Sequence, residues 1–323
     1  MTDANSVLTK YGIVLPNRAE GESTTAYARR AAQMVKKKQE HGLRVTWERS
    51  AHYARVVARE EKALSFPAMQ STALEDWQFV LIHAATEEQV HGLGANPLTR
   101  RQCRMGCRAE ENAYHVVAAC PTAETTARHD AVVHHIIRTI LGATSAPEDI
   151  QAQLRPGKAL LVAEYGGARG VVRILAGTKI CTEPQLYHCR PDIVIITERR
   201  VHIFEIAISH LQNIRAQERL KRVRYEKNST IHVTDANCDQ VPRDNNMCEA
   251  LGKMYRKPVT LGVMVFGAFG EALYTEDMKK SIKQLEDIGV SVRSAKKLIE
   301  KCCLEVCTAS AKVMMRRLNV RSD

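Results

Sequence analysis

The sequence predicts an α/β fold in which a sheet is flanked by helices, preceded by a helical segment and a small Cys/His module. Three observations carry this expectation. Short β-branched runs recur between residues 159 and 266, with a charged helical stretch among them. Apolar residues at helical spacing lie on both sides of that region. Three cysteines and a histidine crowd into residues 103–120, ahead of the first strongly periodic helix. With 323 residues, and roughly 100–200 residues per domain, two units are expected, with room for small modules between them.

Composition narrows the class. Hydrophobic residues at 45% and charged residues at 26% exclude wholesale disorder and collagen-like repeats. No run reaches the ~18 apolar residues that a membrane span needs. The opening MTDANSVLTKYG has no charged region followed by an apolar core, so no secretory signal is expected. Lys and Arg number 47 against 36 Asp and Glu, a net charge of +11. Such a surplus suits a polyanionic partner, nucleic acid before an anionic membrane surface; the plain alternative is an enzyme that happens to be basic. Ten cysteines in a chain expected to stay unsecreted argue against a disulfide framework. Seven of them (Cys181, Cys189, Cys238, Cys248, Cys302, Cys303 and Cys307) form no complete ligand set and read as free, mostly buried thiols.

Residues 1–100 read as a basic, mostly helical linker region. A helix over 26–38 carries Arg29, Arg30, Lys36, Lys37 and Lys38 without an acid, which suits phosphate contact or a solvated face. A second helix is expected over 45–63, broken by Phe66-Pro67, and a third over 71–89 with Trp77, Val80, Leu81 and Ala84 on one face. The stretch 126–141 repeats apolar residues at Val132, Val133, Ile136, Ile137 and Ile140, and 142–158 reads as loop. Strands are expected at 159–163, 171–175, 192–196, 201–208 and 260–266, with a charged helix at 211–226 and a helical tail at 275–318. In that tail Lys296, Lys297, Leu298, Cys302, Cys303, Val306 and Met314 make an amphipathic face, for the chain's own core or for a partner.

The cluster Cys103-x3-Cys107-x7-His115-x4-Cys120 offers three thiolates and one imidazole, the donor set of a tetrahedral structural zinc. One short turn can present Cys103 and Cys107; a helix start can present His115 and Cys120. With all four positions filled by protein, such a zinc is structural, and buried free cysteines are the alternative. Arg100, Arg101, Arg104 and Arg108 surround the cluster and suit contact with a nucleic-acid backbone.

The second constellation is a hairpin. Arg190-Pro191-Asp192 leads into Ile193-Val194-Ile195-Ile196, then a polar turn, then Val201-His202-Ile203-Phe204-Glu205-Ile206. Pairing Ile196 with Val201 and stepping outward sets Asp192 opposite Glu205, with Cβ atoms roughly 4.5–5.5 Å apart. Two like charges so placed need a shared proton, a basic side chain or a divalent cation, and oxygen ligands suit Mg²⁺. The alternative is an edge hairpin with two solvated acids. On the helix that follows, Lys221 and Tyr225 share a face, beside a stripe of Arg215, Arg219 and Arg222. A lysine there can orient or deprotonate a metal-bound water, or stabilise charge on a phosphate.

Together these residues resemble the carboxy-terminal region of early-branching, site-specific non-LTR retrotransposon proteins. There a zinc knuckle precedes a restriction-enzyme-like endonuclease of the PD-(D/E)xK class. The pieces occur in the family's order: Cys103, Cys107, His115 and Cys120; then Arg128-His129-Asp130, similar to an Arg/Lys-His-Asp motif; then Arg190-Pro191-Asp192, Glu205, and Lys221 with Tyr225. The resemblance covers roughly residues 70–320. It implies a mixed central sheet of restriction-endonuclease type, with a knuckle at 101–125, a core at 126–274 and carboxy-terminal helices at 275–323. It implies that Asp192 and Glu205 bind a catalytic Mg²⁺, that Lys221 takes the role of the class's lysine with Tyr225 in support, and that Arg128, His129 and Asp130 sit near the site. Arg190, with Arg215, Arg219 and Arg222, would hold the substrate backbone. Family members nick target DNA and prime reverse transcription from the freed 3′ hydroxyl, which implies DNA and element RNA as partners, no membrane, and a nuclear location.

Two departures accompany the resemblance. No Asp-Asp pair occurs in the chain, so it carries no polymerase signature, and a reverse transcriptase would act only in trans. Residues 158–179 look like extra material before the Pro-Asp motif. The resulting expectation is a metal-dependent DNA endonuclease from a truncated or host-retained element. The alternatives are a catalytically inactive nucleic-acid-binding protein and a helical interaction protein. Oligomeric state stays open.

Overall fold

Four consecutive β-branched residues, Ile193-Val194-Ile195-Ile196, have no polar side to turn to water, so their strand must be covered on both faces. In the computed structural model they form β3 (Ile193–Ile196), and all four are buried. The structure describes residues 17–50, 73–86, 90, 102–155, 158–182, 186, 188–226, 230–234, 240–244 and 246–319, with backbone alone for 39–50, 230–234, 240–244 and 319. The chain divides into two compact units, residues 1–59 and 60–323.

The first unit contains helix α1 (Thr24–Ser50). Helices were expected over 26–38 and 45–63; α1 runs unbroken through Gly42 to Ser50, since a mid-helix glycine costs only about 1 kcal/mol, and residues 51–63 lie outside the described residues. The basic run also has an acid after all. Glu22, just before the helix, takes Arg30 in a 2.6 Å ion pair.

The second unit opens with α2 (Asp76–Thr86). Its buried line is Gln78, Ile82 and Ala85, flanked by half-buried Trp77, Leu81 and Ala84. Val80, expected on that face, is exposed. After the Cys/His segment comes α3 (Ala123–Ala143), started by a capping box between Thr122 and Thr125. All five of its expected apolar positions are fully buried. The expected loop after it contains a short helix, α4 (Glu148–Gln153), which follows Pro147 and has two acids in its first turn.

The sheet follows: β1 (Leu161–Gly167), β2 (Gly170–Ala176), β3, β4 (Val201–Ser209) and β7 (Val259–Gly267), adjacent in that order. The first three pairings are antiparallel and β4–β7 is parallel, so the sheet is mixed. Between β4 and β7 lie α5 (Ile214–Tyr225), a separate hairpin of β5 (Thr230–Thr234) and β6 (Gln240–Asp244), and α6 (Met247–Tyr255). That small hairpin was not expected: its ten residues carry Pro242, charges and only three aliphatic side chains, Ile231, Val233 and Val241. The chain closes with α7 (Glu276–Ile288) and α8 (Val292–Asn319), separated at Gly289.

Side-chain alternation sorts the core. Ile193, Ile195, Phe204 and Ile206 pack with α3, α7 and α8 on one face. Val194, Ile196, Val201 and Ile203 pack with Tyr225 of α5 and with Met247 and Leu251 of α6 on the other. Residues 158–179, read as extra material, supply β1 and β2, an edge strand of the sheet and its inner neighbour. Only one face of β1 is covered, which is why it alternates between buried and exposed. In the tail, Leu298, Cys302, Cys303, Val306 and Met314 are buried in the chain's own core.

Two predictions concern this core. Gly177 has φ +62°, and a Cβ there would stand 2.4 Å from the Ala159 carbonyl oxygen. Gly177→Ala should cost on the order of 1–3 kcal/mol, read as a lower urea midpoint; an unchanged midpoint refutes it. Glu271 is buried with backbone N–H groups as its only favourable partners, and burial pushes its carboxyl up to about 7. The folded chain therefore binds a proton that the unfolded chain has released, so stability falls as pH rises from 4.5 through about 7. Glu271→Gln, neutral at every pH, should gain roughly 3 kcal/mol over wild type at pH 8 and little near pH 4.5. Urea unfolding at both pH values checks this, and a pH-independent difference would count against it.

Candidate functional site

Strand β3 stops at the pair Ile193–Phe204, where Pro191, lacking an N–H, cannot extend the ladder. The next opposed pair is Asp192 and Glu205, in the register that the sequence predicts. The carboxylates take over from the backbone. Asp192 N–H donates to Glu205 Oε1 at 3.1 Å, and Ile206 N–H donates to Asp192 Oδ2 at 2.7 Å. Both side chains lie toward α5, which supplies the cation. Lys221 Nζ stands 2.7 Å from Glu205 Oε2 and 3.5 Å from Asp192 Oδ2.

From α3, His129 reaches the gap left where β4 outruns β3. Its Nε2 lies 3.5 Å from Asp192 Oδ1 and 3.3 Å from the Ile206 carbonyl oxygen, while Nδ1 lies 3.4 Å from Asp130 Oδ1. Tyr225, one turn beyond Lys221, donates to the Arg190 carbonyl at 3.4 Å. Strand register, helix spacing and the end of α3 thus bring together Asp192, Glu205, Lys221, Tyr225, His129 and Asp130. Arg128 is not among them. It is buried behind the site, donating to the Val117 carbonyl and to Ser310 Oγ. A helix turns neighbouring residues about 100° apart, so Arg128 and His129 serve different surroundings.

Electrostatics separates the two acids. Burial works against the Asp192 charge, but His129 and Lys221 more than offset it and hold the carboxyl low. Burial and the neighbouring Asp192 push Glu205 up to about 7. Burial opposes the charge on Lys221 as well, and the two carboxylates outweigh it and raise its pKa. These shifts favour an ionised Asp192 and a charged Lys221, and make Glu205 the acid that more readily takes a proton. Burial, then the two acids, keep Tyr225 protonated.

Helix α5 is fixed by contacts that the sequence did not reveal. Glu218 accepts from Thr275 Oγ1 at 2.5 Å, and Arg222 pairs with Asp277 at 3.5 Å. Both tie the lysine-bearing helix to the start of α7, more than fifty residues away, with no local signal. Of the arginines expected on nucleic acid, Arg190, Arg215, Arg219 and Arg108 are exposed and Arg222 is half-buried on Asp277. Arg104 is turned to Glu111. Arg100 and Arg101 lie outside the described residues. A cleft of about 600 Å³, lined by Arg169, Arg199, Arg200, His202 and Asp287, opens at the turn end of the β3–β4 hairpin, the end away from the acids.

The Cys/His segment forms a second centre. The ligand atoms of Cys103, Cys107, His115 and Cys120 all lie within 4.8 Å of one another. Cys103 and Cys107 flank a turn opened by Gly106, and His115 begins a short π-helical turn, His115–Ala119, whose first carbonyl accepts the Cys120 N–H. Cys120 Sγ is 3.7 Å from Cys103 Sγ and 3.9 Å from Cys107 Sγ. A tetrahedron with Zn–S bonds of about 2.3 Å has edges of about 3.8 Å. His115 Nε2 is buried without a hydrogen-bond partner, and burial, then Arg317, keep the ring neutral. The cluster could bind zinc. Of the other cysteines, Cys302, Cys303 and Cys307 are buried, Cys189 and Cys248 half-buried and Cys181 exposed; Cys238 lies outside the described residues.

No family model and no curated protein matches the chain.

Proposed function

We propose that the protein is a metal-dependent DNA endonuclease with a restriction-endonuclease-like core, a truncated or host-retained relative of the nicking domain of site-specific non-LTR retrotransposons, acting in the nucleus. The observation that carries this reading is the meeting of Asp192, Glu205 and Lys221, from two strands and a helix, where the inner β3–β4 pair of the sheet ends. Hard carboxylate oxygens held as a pair are the donor set for Mg²⁺. When bound, the cation would supply a water of lowered pKa and charge for the scissile phosphate.

The chain's own residues have definable tasks. Asp192 and Glu205 would hold the cation. Lys221, which lies against both acids, would orient the attacking water and offset phosphate charge. His129, hydrogen-bonded between Asp192 and Asp130, is placed to receive or return a proton. Tyr225 and Glu218 keep α5, and with it Lys221, in register. Exposed Arg190, Arg215 and Arg219 suit the phosphates of the bound strand.

A second reading is favoured by one observation: Lys221 and His129 already balance the two acids without a cation. Under it the triad is a structural ion-pair network, and the protein binds DNA or element RNA without cutting. Incubating supercoiled plasmid with purified protein in Mg²⁺ or EDTA decides between them. Metal-dependent relaxation supports the nuclease; binding without nicking supports the second reading.

A further inference from the structure

The Cys/His centre is joined to the far end of the chain. Glu111, whose side chain is fully buried, accepts from the Arg104 backbone N–H and from Arg104 Nε, both at 2.8 Å. It also pairs with Arg317 Nη1 at 3.5 Å. Arg104 Nη2 in turn donates to the Arg317 carbonyl at 2.7 Å, one of the last α8 carbonyls, which a helix leaves unpaired. The Arg317 Nη2 is 3.5 Å from Cys120 Sγ, across 197 positions of sequence. Arg104 lies between two of the cluster's cysteines, so the loop closes on the cluster from both sides.

Charge explains what such a closed loop does. Glu111 meets both guanidinium groups in a site largely shut from water, and the Arg317 guanidinium also reaches the Cys120 sulfur. Zn²⁺ with three thiolates and an imidazole would carry a single negative charge, with the Cys120 sulfur against the Arg317 cation. We infer that Arg317 is a positioning residue for the metal centre: it supplies the counter-charge of the zinc–thiolate cluster and couples metal binding at residues 103–120 to docking of the last turns of α8. Coupling of this kind is reciprocal. Arg317 strengthens metal binding, and bound metal holds the end of α8, which packs on α3 beside Arg128 and Ser310. The inference rests on the zinc reading of the cluster and is independent of nuclease activity.

The test uses the full chain, with Zn²⁺ itself as the probe. Zinc affinity is measured by competition with a chromophoric chelator for wild type, Arg317→Met and Arg317→Lys. Arg317→Met keeps an apolar stem and loses the charge; it should weaken binding roughly 10–100-fold, the usual effect of removing an outer-shell partner. Arg317→Lys keeps the charge and should recover part of the loss. Hydrogen exchange supplies the reciprocal readout. Amides of residues 310–319 in wild type should exchange faster after zinc is stripped, while Arg317→Met should show a smaller zinc response. Wild-type zinc affinity in Arg317→Met overturns the inference, as does a lysine variant no better than the methionine one, or α8 exchange indifferent to zinc. Faster exchange throughout β3 and β4 in zinc-loaded Arg317→Met would mark Arg317 as a general fold residue and also overturn it. A wild-type chain that binds no zinc would sink the zinc reading along with it.

Discussion

Asp192→Ala is expected to lower Mg²⁺-dependent plasmid nicking by on the order of 10³-fold or more, because it removes one of the two opposed carboxylates that would hold the cation. Only Glu205 would remain, and with its charged neighbour gone Lys221 would pair with it alone. Lys221→Met should leave metal binding in place and lower the rate by about 10²–10⁴-fold, the usual span for a positioned proton-transfer or charge-stabilising group. The two variants therefore differ in a measurable way: Mn²⁺ binding followed by electron paramagnetic resonance should be lost in Asp192→Ala and kept in Lys221→Met. Binding of a labelled duplex should persist in both, since the exposed arginines are untouched. If wild type and both variants nick equally, a contaminant is responsible. If all three are inert yet bind the duplex, the acids and lysine form the structural network of the second reading.

If the Cys/His cluster holds zinc, loss of that metal should be the largest effect on stability. Cys103→Ser, or stripping zinc with a chelator, is expected to cost at least about 3 kcal/mol. For a unit of this size that is a fall in Tm of roughly 6–12 °C. The cost spreads beyond the knuckle because the same side chains that surround the cluster hold α8, and α8 fills the core against α3. Cys181→Ser provides the control: that thiol is exposed and should change stability by less than about 0.5 kcal/mol. Equal melting of the loaded, stripped and Cys103→Ser proteins would show that the four side chains are only a packed thiol cluster.

Local pattern reached further in the sheet than elsewhere. The β3–β4 register follows from two β-branched runs around a four-residue turn, since a slip by one residue would send every buried side chain to the opposite face. The opposition of Asp192 and Glu205 is a consequence of that register, and Lys221 with Tyr225 of helical spacing. The Cys/His cluster was legible because its donors are close in sequence and their chemistry is specific. Val80 shows the limit of the same method. Periodicity locates a helix, but which stripe is buried depends on the neighbour that covers it. The β1–β2 strands show another limit, since apolar alternation marks strands without saying which sheet takes them.

The sequence by itself determined the alternation of strands and helices, the hairpin that opposes two carboxylates, and a four-donor set of zinc type. All of these rest on residues at most 17 positions apart. Only the tertiary structure decided that Arg128 turns away while His129 turns in, that Glu218 and Arg222 tie α5 to the start of α7, and that Glu111, Arg104 and Arg317 close around the cysteines. Apart from Arg104 with Glu111, those pairings join residues tens to hundreds of positions apart. Their partners are chosen by how the layers pack and by the cost of leaving a buried charge alone, and neither is written in any local stretch of the chain.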